Sequence, residues 1–129
     1  FVFDYCQGGD LNFHLMHYLF EEDEAKFYIA EIILAIEYLH KNDMVFKNLN
    51  PENIFISDDG HIKLADLGLM KEGNNDGNFN DSINKANNVN NCPENVKRGT
   101  GKSSDIFGIG AILYEMICGS PPFYANCKS

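Results

Sequence analysis

The stretch Val45 to Asn53 reads VFKNLNPEN, and Asp66-Leu67-Gly68 begins thirteen residues after Asn53. Asn53 and Asp66 carry side-chain oxygens, and by residue type alone they read first as loop residues that satisfy nearby backbone groups. Asn48 is an amide, so it can hydrogen-bond but cannot take up a proton as a carboxylate does. Other reactive side chains are scattered. Cys6, Cys92, Cys118 and Cys127 lack C-x-x-C spacing and read as free thiols in a reducing compartment. His14, His17, His40 and His61 show no metal-ligand spacing and read as surface or half-buried groups.

Local pattern predicts how this stretch is positioned. Phe1 to Cys6 is aromatic and β-branched, which predicts a short strand ended by Gly8-Gly9; Asp10 then caps a short helix running to about Tyr18. From Glu22, the residues Ala25, Ile29, Ile32, Ile36 and Leu39 recur at steps of four and three, one stripe of an amphipathic helix ending near Lys41. Acidic Glu21 to Glu24 favour its N-terminal end, and His40 and Lys41 its other end. Asn42-Asp43 breaks the helix, and Met44-Val45 forms a brief strand before the Asn48 loop. Ile54–Ile56 and His61–Leu64 flank the turn tetrad Ser57-Asp58-Asp59-Gly60, which predicts a hairpin holding Asn53 and Asp66 side by side. Residues 73–91, about half Asn, predict a mobile loop with too little apolar surface to order itself. Ser103 and Ser104 offer an N-cap for a final helix, Ser104 to Cys118, whose apolar residues cover most of its circumference and predict a buried position. Gly119 and Pro121-Pro122 end it.

At 129 residues and 44% apolar, the chain is the size of one domain, and no apolar run nears the roughly 18 residues of a membrane span. No signal peptide or lipidation motif is evident, and the expected compartment is cytoplasmic or nuclear. Net charge is −9 and Arg98 is the lone arginine, which argues against nucleic acid and favours basic peptides as partners.

Five ordered stretches carry a family resemblance. FDYCQGGDLNFHL resembles the hinge and following helix of AGC-group serine/threonine protein kinases, FYIAEIILAIEYLH the helix before the catalytic loop, and IFISDDGHIKLADLGLMKE the hairpin and metal loop. Cys92-Pro93-Glu94 looks like the end of the activation segment, and SSDIFGIGAILYEMICGSPPF like the central helix of the large lobe. The resemblance implies an α+β, mainly α fold: a kinase-like C-terminal lobe with a small β-hairpin bearing the catalytic and metal loops. Residues 1–129 would be a partial kinase domain, from hinge through central helix, without the small lobe or the closing helices.

By the same resemblance, the backbone around Asp4 and Cys6 would face the adenine of ATP, Phe55 would pack under it, and Asn53 and Asp66 would hold Mg²⁺. Asp10, Glu52 and Glu115 would grip arginine on a basic substrate peptide. Asp105 would bond the catalytic-loop backbone, and Glu94 would seek an Arg lying beyond Ser129. Departures cluster on the chemistry. Asn48 stands where the catalytic Asp belongs, Asn50 where a Lys neutralises the transferring phosphate, and Lys47 where an Arg would grip a phosphorylated loop bidentately. Ile83 and Asn87 fall where the family has Thr, and Leu67 replaces Phe. Loss of the base typically costs on the order of 10²–10⁴ in rate. The glycine-rich loop and the small-lobe Lys and Glu are absent from the sequence, so ATP and Mg²⁺ binding by this chain alone is expected to be weak. The reading that follows is a catalytically impaired kinase-like module acting in binding or regulation, with another kinase or a small lobe as further partners. The alternatives are a large-lobe piece of an active kinase and a non-functional remnant.

Overall fold

The computed structural model describes residues 2–65, the backbone of 71–72, and residues 101–122. Asp66, the Asn-rich segment 73–91 and Glu94 lie outside the described residues.

Three helices and two small antiparallel ladders make up the described fold. Helix α1 (Leu11–His17) starts where the Asp10 carboxylate accepts the Phe13 N–H at 2.7 Å, the cap expected of that residue. Seven residues are too few for a helix that stands alone, so its stability comes from burying Leu11 and Leu15. Helix α2 (Glu22–Lys41) buries the Ala25, Ile29, Ile32 and Ile36 stripe, with Leu39 half-buried beside it. The Glu24 carboxylate accepts the Glu21 N–H at 3.0 Å, satisfying a donor that the first turn would otherwise orphan.

Strand β1 (Met44–Val45), strand β2 (Ile54–Ile56) and strand β3 (Ile62–Leu64) follow, then β4 (Lys71–Glu72). β2 and β3 pair antiparallel with Ile54 opposite Leu64, forming the expected hairpin, and Gly60 takes φ +85° in its turn. The hairpin lies across α2, where the Glu31 carboxylate accepts the Ile62 N–H at 2.9 Å and binds His61 Nδ1. β1 pairs with β4, a ladder that sequence pattern alone did not indicate.

Three expectations are corrected. Residues 2–6 form no strand: Val2, Phe3 and Tyr5 are exposed, and the chain first joins a sheet at Gly8, whose N–H donates to Ile56 O at 3.0 Å. Aromatic and β-branched composition favours a strand only where packing rewards it. Gly8 is demanded by this junction, since a Cβ there would sit 2.7 Å from Ile56 O. Helix α3 (Lys102–Cys118) begins earlier than expected, with Gly101 as N-cap and both serines inside the first turn. It is also one-sided: Ile109, Ile112 and Met116 enter the core, whereas Ile106, Tyr114 and Ile117 are exposed. Gly119 ends it in the left-handed region at φ +74°, its N–H donating to Glu115 O.

The core gathers the buried stripe of α2, Leu11 and Leu15 of α1, Ile54, Phe46 and Leu49, and the inner face of α3. Among the described residues, no helix is long and apolar enough to cross a membrane.

Candidate functional site

The loop between β1 and β2 is organised from a distance by α3. Asp105 is 1% exposed in the first turn of that helix, and its carboxylate accepts three hydrogen bonds. Oδ1 takes the Lys47 N–H at 2.8 Å; Oδ2 takes the Phe46 N–H at 2.9 Å and His40 Nε2–H at 2.8 Å. Bonds to a carboxylate are about twice as strong as neutral ones, and burial removes competing water. Lys47 sits at φ +68°, a conformation that non-glycine residues rarely adopt and that needs such an anchor. Asn48 N–H then closes back on Phe46 O at 2.9 Å. Two of the three Asp105 bonds go to the backbone of this loop.

A ring of amides completes the loop. Asn50, 6% exposed, accepts the Glu52 N–H at 3.0 Å through Oδ1 and so caps the 3-10 turn Pro51–Asn53. Its Nδ2 donates to Asn48 O at 3.3 Å and to Asn48 Oδ1 at 3.1 Å. Asn53 donates Nδ2–H to Asn48 O at 3.0 Å, which leaves its carbonyl oxygen as the atom with lone pairs to offer a cation. Asn53 O also accepts the Ala65 N–H at 2.9 Å, bringing the exit of β3 beside it. Asp66 follows directly in sequence but lies outside the described residues, as does Glu94.

Phe55 projects half-buried from β2, in register with Lys63 and bridged to Asp10. Asp4 is exposed near Lys63 Nζ at 4.0 Å, and Cys6 is a half-buried free thiol whose carbonyl accepts the Gly9 N–H. Of the three acidic residues assigned to a basic peptide, Asp10 and Glu52 fall on neighbouring elements, because α1 packs on the Pro51–Asn53 turn. Glu52 is exposed; the Asp10 carboxylate already caps α1. Glu115 lies half-buried on α3. Cys118 is an exposed free thiol, and among the described residues no group of three His, Cys, Asp or Glu side chains gathers as a metal site.

Sequence reasoning left two contributors without a task. His40 looked only like a favourable charge at the end of α2, yet it supplies a donor to Asp105 across 65 positions. Glu31 holds the hairpin to α2; a carboxylate neighbouring the apolar stripe was the available signal. The hydrogen bond to Glu31, reinforced by the same charge, raises the His61 pKa above its ordinary 6.5. Farther off, the Tyr18 hydroxyl donates to Glu24, and that contact pushes its pKa up to about 12.

A family model described as protein kinase domain matches residues 1–129. RAC-beta serine/threonine-protein kinase of Rattus norvegicus is 44% identical over 96% of this chain and 26% of its own length. Serine/threonine-protein kinase sck1 of Schizosaccharomyces pombe is 42% identical over 96% of the chain and 18% of its own, and serine/threonine-protein kinase SCH9 of Candida albicans 43% over 97% and 16%. The chain therefore spans about a quarter or less of the curated relatives it matches. On a match that runs through the Asn48 loop and the Asp105 helix alike, the chain belongs to the protein kinase domain family and is similar to AGC-type serine/threonine kinases.

Proposed function

We propose that this chain is the large-lobe part of an AGC-like kinase domain whose catalytic loop is built but impaired for phosphoryl transfer, and that it acts by binding a basic peptide. The reading is carried by two amides, Asn48 and Asn50, which by the family resemblance stand at the base and phosphate-Lys positions, in a loop whose backbone Asp105 holds and where Asn53 bonds Asn48 O. A neutral amide accepts no proton, and without the Lys the transferring phosphate lacks a stabilising charge. Asn53 and Asp66 would hold Mg²⁺, which supplies charge neutralisation at the phosphates when bound. The backbone at Asp4 and Cys6, with Phe55, would meet the adenine. Asp10, Glu52 and Glu115 would receive arginine side chains.

The test joins the chain to a competent small lobe and follows transfer of radiolabelled phosphate to an Arg-containing peptide. The expected result is no transfer above the Asp66→Ala control, with peptide binding retained by fluorescence anisotropy. Transfer that disappears in the Asp66→Ala control would overturn the impaired-kinase reading and establish the alternative, a piece of an active kinase.

A further inference from the structure

Asn50 keeps every hydrogen bond of its carboxamide inside the loop. Oδ1 faces the Glu52 N–H, so Nδ2 must face the two oxygens of Asn48, which fixes the orientation of both amides. The site is 6% exposed. In such a place a neutral pair needs no counter-charge, whereas a single charged residue would be buried beside a neutral partner.

We infer that Asn50 is a positioning residue, coupled to Asn48 as one uncharged unit that holds the loop closed and withholds position 50 from any bound phosphate. The inference rests on the proposed function and deepens it: both losses of charge become one structural device. It follows that the two positions respond to substitution jointly. An Asp at position 48 alone still accepts from Asn50 Nδ2. A Lys at position 50 alone loses the Glu52 cap and places an ammonium against a neutral amide, so it destabilises. An Asp at position 50 keeps the cap but turns lone pairs toward the oxygens of Asn48.

The experiment is a double-mutant cycle of Asn48→Ala and Asn50→Ala by urea denaturation, on the chain without nucleotide, with Asn48→Asp, Asn50→Lys, Asn50→Asp and Asn48→Asp/Asn50→Lys alongside. The folded-to-unfolded ratio of the double alanine variant is expected to exceed the product of the single effects by about two- to tenfold, the net worth of one hydrogen bond. Asn50→Lys and Asn50→Asp should each lower the ratio by about tenfold or more, and adding Asn48→Asp to Asn50→Lys should recover part of that loss. The recovered pair should also gain a pH dependence in the carboxylate range that the amide pair lacks. A second readout is hydrogen exchange of the Asn50 side-chain NH₂ by NMR, expected to be slowed about tenfold and released in Asn48→Ala. Additivity within 1.5-fold, or unprotected Asn50 side-chain protons, would overturn the inference. None of these measurements involves phosphoryl transfer, so an active chimera would defeat the proposed function while leaving the coupling standing, and additive alanines with no transfer would do the reverse.

Discussion

Replacing Asp105 by asparagine turns one oxygen into an NH₂ group and changes little else. The wild-type carboxylate serves three donors: Phe46 N–H and His40 Nε2–H at Oδ2, and Lys47 N–H at Oδ1. An amide can keep its oxygen toward Phe46 and His40, and then its NH₂ opposes the Lys47 N–H. Turned the other way it accepts from Lys47 and donates to His40 in the opposite tautomer, but the Phe46 N–H is left facing a donor. Either orientation orphans one backbone N–H, which costs about 1–3 kcal/mol. For a chain of 129 residues, about 2 kcal/mol corresponds to a fall of roughly 8 °C in Tm. Asp105→Ala strands all three donors and should cost about 3–5 kcal/mol. Urea denaturation of both variants gives the magnitudes, and amide hydrogen exchange should show Phe46 or Lys47 losing protection first. An Asp105→Asn variant within 0.3 kcal/mol of wild type would refute the assignment of the carboxylate to these two amides.

In the small-lobe chimera, Asn48→Asp alone should leave phosphoryl transfer undetected, because position 50 still lacks its positive charge; Asn48→Asp with Asn50→Lys should give measurable transfer to an Arg-containing peptide. A His61→Gln comparison tests the hairpin contact: the His61 pKa is raised by Glu31, so its contribution is fully present below the ordinary 6.5 and is lost as pH rises through the higher folded value. Wild-type stability relative to His61→Gln should therefore fall from pH 6 toward pH 8, and a flat difference would count against the ion pair. Gly8→Ala should destabilise by about 1–3 kcal/mol, since the new Cβ meets Ile56 O at 2.7 Å. Gly110→Ala, whose Cβ would meet nothing within 4 Å on helix α3, should stabilise by roughly 0.5–1 kcal/mol in the same denaturation assay.

Local signals made part of this fold legible. The α2 stripe repeats over 20 residues, long enough for period to settle both the helix and its buried face. The hairpin was equally plain, because Ser57 to Gly60 is turn chemistry between two apolar runs. Failures came where a partner distant in sequence decides the outcome. Val2 to Cys6 has strand composition but no place in a ladder, and Met44–Val45 finds its partner at Lys71–Glu72. The start of α3 was misplaced because serine is a good cap in general, whereas here the first turn is set by burying Asp105 against the Asn48 loop.

The candidate site divides along the same line. Residue types announced which side chains could bear chemistry, but type alone does not say which atoms the fold has already used. Asp10 was marked as an anchor for arginine, yet one of its oxygens holds the first turn of α1. A guanidinium meeting it would share a carboxylate already engaged, so binding there should respond less to Asp10→Asn than to Glu52→Gln, whose carboxylate is on an exposed residue. Titrating an Arg-containing peptide into the two variants separates the effects by Kd. Equal weakening would mean that capping α1 leaves the Asp10 carboxylate fully able to receive a cation, and that the hydrogen bond to Phe13 governs the helix without governing recognition.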